Sequence, residues 1–440
     1  MKRFTILLAA MVLLLTLSAC KNDLDFQLIG EDTQYLTTGD MYVELGYLAR
    51  NNGSDISSFV TMEGNVDPYT SGDYQVTYTL EYNGNIETLT RNVYYREEGC
   101  QPLEDSNLTA CERYWTSYLH TAVRLVVYYE DDTYHDLMGF VFDNVENILE
   151  DYHKLSTKYD DYGINNVYAI NQDPTTTHVL NTKLFDLIQF SLDHQDEVNN
   201  LFNIALGPVL KVWHDAREAC NVMLATPVCE VPDMADLEAA NQYTDPNLIV
   251  LDEATHSITM GENMSIDLGG VSKGYISGKI IEYLDSLEIS YLLNSGTSNI
   301  SVGGTHPTRE NGKFLLAITD PTGSTGWYAE VFLGDGDQLV TSGDYQQYYE
   351  VGDELYHHII NPNTLMPERY SRSVSIITSD PALADLYSTA IFTMSIEDGL
   401  AFVNSIDHLE AIWYTLDDTV VMSDQFESLY VNELYVPIEE

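Results

Sequence analysis

Residues 266–278 read Ile-Asp-Leu-Gly-Gly-Val-Ser-Lys-Gly-Tyr-Ile-Ser-Gly, and this stretch decides how the larger part of the chain folds. Two short strands are predicted before the glycines, at Ser257–Met260 and Ser265–Leu268. The pair Gly269–Gly270 allows the backbone to turn sharply and to lie close to a ligand. After Lys273 the apolar residues recur with the period of a helix; they are Ile276, Ile280, Ile281 and Leu284. The stretch therefore predicts a glycine loop between a strand and a helix.

A glycine loop that opens a helix presents free backbone N–H groups, and the helix dipole favours negative charge there. Lys273 adds a positive charge, so a phosphate or pyrophosphate is the expected ligand. The spacing matches neither the phosphate-loop motif GxxxxGK[ST] nor the dinucleotide motif GxGxxG. Taken alone, a tight strand-to-helix turn with a solvated lysine explains the stretch equally well.

The first 20 residues have the pattern of an export signal. A basic pair at residues 2–3 precedes an apolar run at residues 6–15, and Leu17-Ser-Ala-Cys20 follows. This order is typical of a secretory signal peptide. The ending resembles a bacterial lipobox, which implies that Cys20 becomes the lipidated first residue of the mature protein. An uncleaved anchor helix is the alternative, and either way the chain is expected at the extracytoplasmic face of the cell membrane.

The remaining four cysteines form two close pairs, Cys100 with Cys111 and Cys220 with Cys229. Each pair lies in a stretch predicted as a loop, and in an oxidising compartment each can close a local disulfide. Four free thiols or a zinc site are the alternatives, but neither pair has the CxxC spacing of a zinc site. Two local disulfides are therefore predicted.

The chain carries 19 Lys and Arg residues against 69 Asp and Glu residues, a net charge of −50. Such a surface repels nucleic acid, so no nucleic-acid partner is expected. It also repels a phosphate-bearing ligand, and a phosphate site therefore needs backbone N–H groups, a lysine or a divalent cation. Hydrophobic residues make up 44% of the chain, which predicts folded domains rather than an acidic disordered tail.

Residues 26–97 are predicted to form a small β-sandwich. The runs that alternate or are rich in β-forming residues are Tyr42–Gly46, Gln75–Leu80 and Glu87–Tyr95. Asn83–Gly84 separates two of these runs and is typical of a hairpin turn, and no helical period occurs. The motifs between Gly64 and Val93 resemble the Ig-like repeat of bacterial surface proteins, which implies a spacer or recognition module.

Residues 98–116 are predicted as a linker, and residues 117–440 as a larger α+β domain. A strand-like run at residues 121–129 is followed by amphipathic helices at about His135–Leu155 and Lys183–Leu201. Strand-rich and helical runs then mix to the end, without the regular βαβ repeat of a parallel sheet. The chain is therefore expected to be α+β, with a small all-β domain in front.

Six separated blocks of the larger domain resemble the ApbE family, the FAD:protein FMN transferases, in the order of that family. They are Leu155–Tyr159 with Asn171, Phe202–Pro208 with Trp213, Asp267–Tyr275, Thr341–Tyr345, Tyr356–Thr364 and Ala384–Ala390. The third block reads DLGGVSKGY where the family reads DLGGIAKGY. The resemblance implies an enzyme that uses Mg²⁺ to cleave FAD. The FMN half is transferred to a Ser or Thr hydroxyl of an exported flavoprotein with an FMN-binding domain, and AMP is released.

The metal site is predicted on one helix. Asp380–Pro381 has the pattern of a helix N-cap followed by proline at the first helical position. Asp385 and Thr389 then lie four residues apart on one face of that helix. A carboxylate and a hydroxyl are hard oxygen ligands that suit Mg²⁺, although on their own the two residues read more simply as ordinary helix surface. The resemblance assigns the metal to Asp385, Thr389 and the backbone carbonyl of Ser272.

The general base is predicted at a histidine pair, His357–His358, before Asn361–Pro362. A neutral imidazole there can accept the proton of an incoming hydroxyl. The family's histidine immediately precedes Ile-Ile, so the resemblance assigns the base to His358 and leaves His357 a structural role. The resemblance also implies a flavin pocket, with Tyr159, Asn171, Asn203, Gly269, Gly270, Lys273 and Ile360. For Tyr159 a core position is the alternative, since the chain has 32 tyrosines.

Three single residues depart from the family pattern, and the block Asn294–Ile300 lacks its usual double glycine and carries an extra residue. Asn203 and Asn361 stand in place of aspartates, and Leu365 stands in place of a glycine. Loss of two carboxylates would weaken metal binding or flavin contact if they belong to the site. One alternative to the transferase is therefore an FAD pyrophosphatase or a flavin-binding lipoprotein with the same fold. Another is a surface adhesion or ligand-binding lipoprotein whose larger domain is inert.

Overall fold

The structure is a computed structural model that describes residues 24–30, 32–37, 42–51, 53–67, 72–96, 99–103, 107–129, 135–220, 227–296, 298–323, 326–352 and 354–436. The predicted signal peptide and Cys20 lie outside these residues. The chain divides into two compact units, Met1–Glu97 and Glu98–Glu440. Within the described ranges, no helix combines the length and the apolar character needed to cross a lipid bilayer.

The first unit consists of strands β1 Leu24–Leu28, β2 Thr33–Thr37, β3 Tyr47–Asn51, β4 Ser54–Asp55, β5 Val60–Glu63, β6 Gly72–Tyr82 and β7 Asn85–Arg96. They form two sheets, with the orders β1-β3-β4 and β2-β7-β6-β5. Asn83 and Gly84 connect β6 to β7 with a positive φ at both residues, which confirms the predicted hairpin. Phe26 of one sheet and Val76 of the other belong to one buried cluster, so the sheets pack on each other as a sandwich.

The strands of the second unit are β8 Gly99–Pro102, β9 Thr109–Trp115, β10 Val123–Tyr129, β11 His178–Val179, β12 Val250–Asp252, β13 Ser257–Thr259, β14 Ser290–Ser295, β15 Asn299–Gly303, β16 Phe314–Thr319, β17 Trp327–Leu333, β18 Gln338–Gly343, β19 Tyr348–Val351, β20 Glu354–His357, β21 Ser373–Thr378, β22 Glu410–Tyr414, β23 Val420–Met422 and β24 Val431–Leu434. In the described residues, the largest sheet is antiparallel with the order β23-β22-β21-β18-β15-β14-β10-β9-β8. Three smaller sheets have the orders β11-β13-β12, β16-β17-β24 and β19-β20.

The described helices of this unit are α1 His135–Ser156, α2 Val167–Gln172, α3 Thr182–His194, α4 Gly207–Ala219, α5 Met234–Asn241, α6 Ser272–Asp285, α7 Pro381–Phe392, α8 Ile396–Val403 and α9 Phe426–Tyr430. Helices α1 and α6 confirm the predicted ones. The helix predicted to reach Leu201 ends instead at His194, where a short 3₁₀ turn follows. The chain cannot continue as a helix there because Asn199 and Asn200 adopt the left-handed conformation.

The large sheet is buried on both faces, as β22 demonstrates. Its residues Ala411 and Trp413 belong to the core shared with the helices, whereas Ile412 and Tyr414 face the core beneath β16-β17-β24. This division follows from the pleat, which directs successive side chains to opposite faces. The second unit therefore has three layers, with α1, α6 and α7 on one face and the small sheet on the other.

In the segment 98–116, predicted as a linker, the described residues 99–102 and 109–115 are instead strands of the large sheet. Strands β8 and β9 pair with Cys100 directly opposite Cys111, and a disulfide joins them. The prediction was wrong because β8 has only four residues, too few for a periodic pattern. The second predicted disulfide, Cys220–Cys229, is also present, so both pairings are confirmed.

Candidate active site

The glycine loop lies directly before α6, as the sequence predicts. The preceding residues, Ser265–Leu268, join no strand, which differs from the prediction. The cause is Asn171, whose side chain forms hydrogen bonds with both the N–H and the carbonyl of Ile266. Its Oδ1 accepts the Ile266 N–H at 2.8 Å, and its Nδ2 donates to the Ile266 carbonyl at 2.9 Å. Asp267 in turn accepts the N–H of Gly269 at 2.8 Å, so side chains hold the loop on both sides of its turn.

Helices α6 and α7 come very close at Gly274. A methyl group at this position would lie 2.3 Å from the carbonyl oxygen of Pro381 and 2.7 Å from Cβ of Asp385. The Gly274 N–H donates to Oδ2 of Asp385 at 3.1 Å. Asp380 accepts two N–H groups from the first turn of α7, which confirms the predicted N-cap. This packing brings Asp385 to the glycine loop.

Asp385 is the acidic centre of the site and is only 4% exposed. Its Oδ1 lies 3.6 Å from the Lys273 ammonium and accepts from Nδ2 of Asn299 at 3.3 Å. The hydroxyl of Thr389 donates to the backbone carbonyl of Asp385 at 2.9 Å, which leaves the lone pairs of that hydroxyl available. Asn299 was not predicted, because only the fold brings β15 beside α7.

A cavity of about 440 Å³ opens over these residues. This volume lies within the range of roughly 300–1,000 Å³ that is typical of small-molecule sites. The predicted residues that line it are Tyr159, Asn203, Gly269, Gly270, Ser272, Lys273, His358, Ile360, Asp385 and Thr389. Asn171 was predicted to line it as well, but it does not, because its amide is engaged by Ile266. Asn171 therefore supports the loop from behind.

The two histidines have opposite tautomers. Nδ1 of His357 accepts the N–H of Ile359 at 3.2 Å, so its proton is on Nε2, which donates to the Glu368 carbonyl at 2.9 Å. Nδ1 of His358 lies 3.2 Å from the carbonyl of Gln347, and a carbonyl can only accept. The proton of His358 is therefore on Nδ1, and its Nε2 carries a lone pair that accepts no hydrogen bond from any described residue. Both nitrogens of His357 are used by the backbone, which fits a structural role.

Both imidazoles are neutral at neutral pH. Burial lowers the pKa of His357 to about 4. Burial also lowers the pKa of His358 to about 3, and the charges of Arg217 and Lys273 add to this effect. A bound anion would offset these positive charges and raise the pKa of His358 toward the range of an effective base.

Tyr159 forms an open aromatic wall of the cavity and is 52% exposed, so it is not a core residue. The ammonium of Lys158 lies 5.1 Å from the ring centroid, and the ring of His120 meets its edge at 5.6 Å. Lys158 also pairs with Asp267, and although burial lowers the pKa of Lys158, this carboxylate raises it above the usual value. An exposed aromatic face suits stacking on a planar ligand.

The two asparagines that replace aspartates serve the local backbone. Asn203 caps a short 3₁₀ turn, accepting the Ala205 N–H at 2.8 Å and donating to the Thr244 carbonyl at 2.9 Å. An aspartate could not make the second bond, because a carboxylate has no hydrogen to donate. Asn361 accepts the N–H of Asn363 at 2.9 Å. Neither amide is therefore left as an empty ligand position.

Leu365, the third departure, has a left-handed φ of 61° and is buried. A glycine adopts this conformation without strain, whereas a leucine does not. Its carbonyl accepts the indole N–H of Trp213 at 2.9 Å. The bend is therefore held by packing against α4.

The donors suit a hard cation. Among the described residues, no group of three or more His, Cys, Asp or Glu side chains could hold a metal ion. Asp385 with its buried carboxylate, Thr389 and Ser272 line the same cavity. Mg²⁺ commonly keeps several waters and takes one or two carboxylates together with substrate phosphates, so this sparse donor set fits it.

Sequence reasoning missed several residues of the cavity, including His120, His214, Arg217 and Gln347. Arg217 lies four residues after Trp213, so helical spacing alone could have placed it on the same face of α4. His358 is oriented by the backbone carbonyl of Gln347, a group for which the sequence carries no signal.

A glycine loop, a lysine, a buried carboxylate and a neutral histidine thus converge on one pocket of an α+β domain. These features define a site for a phosphate-bearing small molecule. The sequence model of the ApbE family matches residues 119–413. The model named "Bacterial surface protein, Ig-like domain" matches residues 26–94. The chain belongs to the ApbE family and carries an Ig-like domain in front.

Similar proteins agree with this placement. An FAD:protein FMN transferase of Klebsiella pneumoniae (strain 342) is 28% identical over 262 residues, which cover 58% of this chain and 75% of that protein. Another from Treponema pallidum (strain Nichols) is 26% identical over 255 residues, covering 55% and 68%.

Two solved structures share the fold. The apbe protein of Thermotoga maritima superposes with a TM-score of 0.62 at 22% identity, covering 73% of this chain and 99% of that one. The apo form of the Pseudomonas stutzeri flavinyl transferase ApbE has a TM-score of 0.57 at 20% identity, covering 75% and 100%.

Proposed function

We propose that this protein is an FAD:protein FMN transferase that acts on an exported flavoprotein. The observation that carries the proposal is Nε2 of His358, which has no hydrogen-bond partner among the described residues and belongs to a residue of the same cavity as Lys273 and Asp385. The curated relatives carry this activity in their names. The acceptor is a Ser or Thr hydroxyl of another protein, and the second product is AMP.

FAD binding rests on Tyr159, the glycine loop and Lys273. Tyr159 offers its exposed face to the isoalloxazine ring, since aromatic faces stack on planar ligands. The glycine loop and Lys273 face the diphosphate, because glycines allow a ligand to lie close to the backbone and the lysine ammonium favours phosphate oxygens. These contacts compensate locally for the repulsion of a molecule with a net charge of −50.

In the reaction, the acceptor hydroxyl oxygen attacks the phosphorus of the FMN half of FAD. Nε2 of His358 takes the hydroxyl proton, and the N–H at its Nδ1 stays bonded to Gln347 as the ring becomes charged. The bond between this phosphorus and the bridging oxygen breaks, and AMP leaves with that oxygen. A phosphoester to the Ser or Thr side chain remains.

Mg²⁺, when bound, would neutralise charge on the phosphate oxygens and stabilise the charge that develops on the leaving AMP. The residues that would hold it are Asp385, Thr389 and the backbone carbonyl of Ser272. Lys273 lies 3.6 Å from the Asp385 carboxylate, so it lowers the negative charge density beside the substrate. Asn299 and the Gly274 N–H fix the rotamer of Asp385.

The same proposal includes export and lipid anchoring through Cys20, so that the enzyme meets its acceptor outside the cytoplasm. Changing Cys20 to Ala should abolish lipid labelling of the expressed protein and leave it unprocessed or released. Unchanged lipid labelling in the Cys20→Ala variant would contradict the anchor.

The activity is tested by incubating the protein with FAD, Mg²⁺ and an acceptor flavoprotein domain, followed by intact mass measurement. We expect the acceptor to gain the mass of FMN less one water, with one AMP released per transfer. His358→Ala should lose most of this transfer, about 10²–10⁴-fold, while still binding FAD. AMP release that does not depend on acceptor would identify an FAD pyrophosphatase. Absence of FAD binding would favour the adhesion lipoprotein.

A further inference from the structure

Arg217 lines the cavity and has no carboxylate partner among the described residues, in a chain with 69 acidic residues. Within the described ranges it forms no ion pair, and its guanidinium makes a hydrogen bond with Nδ1 of His214, at 3.2 Å. The other cations of the cavity are paired, Lys158 with Asp267 and Lys273 with Asp385. In so acidic a molecule, an unpaired guanidinium that faces a pocket indicates a place kept for an anion from outside.

The local structure of α4 directs Arg217 toward the pocket. Trp213, one helical turn earlier, stacks on Tyr356 with ring centroids 5.8 Å apart and donates to the Leu365 carbonyl. These contacts fix the rotation of α4, and residues four apart share a face. The helix ends at Cys220, which the disulfide ties to Cys229. The backbone that carries Arg217 is therefore anchored on both sides.

His214 holds the guanidinium in place. An arginine N–H can only donate, so Nδ1 of His214 accepts and its proton is on Nε2. Burial lowers the pKa of His214, and the charge of Arg217 lowers it further, which keeps the ring neutral and able to accept. This hydrogen bond uses one N–H of the Arg217 guanidinium, and the other N–H groups can bind a ligand.

The charge of Arg217 also reaches the proposed base. It lowers the pKa of His358 and opposes the burial that raises the pKa of Tyr349. Arg217 comes from α4, whereas Lys273 comes from α6, and the charges of both act on His358. Two separate elements therefore supply positive charge that acts on His358.

We infer that Arg217 binds the diphosphate of FAD through its guanidinium, with His214 as the residue that positions it. The inference rests on the proposed function, because it names a further substrate-binding residue of that site. A planar guanidinium offers paired N–H groups whose spacing matches two phosphate oxygens, which a lysine cannot reproduce. The charge-assisted bond is shorter and stronger than one between neutral groups.

The test measures the affinity of the full chain for FAD and for riboflavin. It compares the wild type with three variants, Arg217→Ala, Arg217→Lys and Lys211→Ala. Riboflavin carries the same ring without phosphate. Lys211 is the matched control because it lies on the same helix, is paired with Asp215 and does not line the cavity. Its loss changes the net charge by the same amount.

We expect Arg217→Ala to weaken FAD binding by about 10- to 100-fold, the effect of one hydrogen bond to a charged group. The FAD affinity of Arg217→Lys should be intermediate, since lysine keeps the charge but lacks the paired N–H groups of the guanidinium. Riboflavin affinity should be equal in all proteins, and Lys211→Ala should bind FAD like the wild type. Thermal unfolding of each variant checks the fold, and Arg217→Lys provides the comparison if Arg217→Ala does not fold.

Equal FAD affinity in wild type, Arg217→Ala and Arg217→Lys would overturn the inference and leave the proposed function standing. An equal loss of FAD and riboflavin affinity would also overturn it, because Arg217 would then support the ring or the fold. A wild-type protein that binds riboflavin but not FAD would refute the proposed function together with the inference.

Discussion

Gly274→Ala tests whether the contact between α6 and α7 sets the position of the acidic centre. The added methyl would meet the Pro381 carbonyl at 2.3 Å and Cβ of Asp385 at 2.7 Å, both below the 3.0 Å that Cβ atoms essentially never cross. The nearer atom belongs to the backbone, so no side-chain rotation relieves the clash. The two helices must move apart, and Asp385 moves with α7.

The expected cost follows from two opposing effects. Alanine is favoured over glycine in a helix interior by about 1 kcal/mol. Overpacking of a tight contact costs about 1–3 kcal/mol, and a backbone clash belongs at the upper end of that range. The net loss in the free energy of unfolding is therefore about 2 kcal/mol. A displacement of Asp385 by about 1 Å should lower FMN transfer by about 10²-fold.

The assay is urea unfolding together with FMN transfer to an acceptor domain. Gly278→Ala is the matched control, because it lies one turn further along α6 and its methyl would meet only side-chain atoms of Pro381, Cγ at 3.2 Å and Cβ at 4.0 Å. The control should be as stable as the wild type or more stable, with normal transfer. If Gly274→Ala behaves like Gly278→Ala in both measurements, the close helix contact does not position Asp385.

Three further expectations concern single side chains. Burial lowers the pKa of His357 from 6.5 to about 4, so the folded state resists a proton that the unfolded state accepts. Stability due to the neutral ring is present above pH 6.5 and is lost as the pH falls toward 4, by about 2 kcal/mol between pH 7 and pH 5. His357→Gln should remove this part of the pH dependence in urea unfolding, and an unchanged slope would refute the assignment. Asn171→Ala leaves both buried backbone groups of Ile266 without partners and should cost about 2–4 kcal/mol by the same method. Asn165→Ala is the mild comparison, because the Asn165 amide donates to a single carbonyl, that of the exposed residue Val179 in β11. Asp385→Asn keeps an acceptor for Gly274 and should fold normally, yet Mg²⁺ should no longer stimulate AMP release; full stimulation in this variant would exclude Asp385 as a metal ligand.

The sequence predicts those features of the site that depend on neighbouring residues. The glycine loop and α6 follow from two glycines and a helical apolar period, and the start of α7 follows from Asp380 and its capping bonds. The hairpin at Asn83–Gly84 is of the same kind. In each case the physical cause lies within a few residues, so a local pattern carries it.

The features that the sequence does not predict depend on distant contacts. Asn171 and Ile266 are 95 residues apart. No local pattern predicts that the Asn171 amide, rather than a neighbouring strand, bonds the backbone of Ile266. The contact of Asn299 with Asp385 and the orientation of His358 by the Gln347 carbonyl likewise require the assembled fold. Strand β8 is too short to show alternation, and only its pairing with β9 reveals it.

The position of β8 at one end of the nine-stranded sheet has a consequence for self-association. An open strand edge offers unpaired N–H and C=O groups on which strands of other molecules can add. Four residues give β8 few backbone bonds of its own, and the covalent link between Cys100 and Cys111 fastens it over the seven-residue β9. The strand also ends at Pro102, whose nitrogen has no hydrogen to offer. The disulfide therefore keeps β8 paired over the edge of β9 and protects that edge from other strands. In a chain that folds under reducing conditions, the longer edge of β9 is exposed to aggregation.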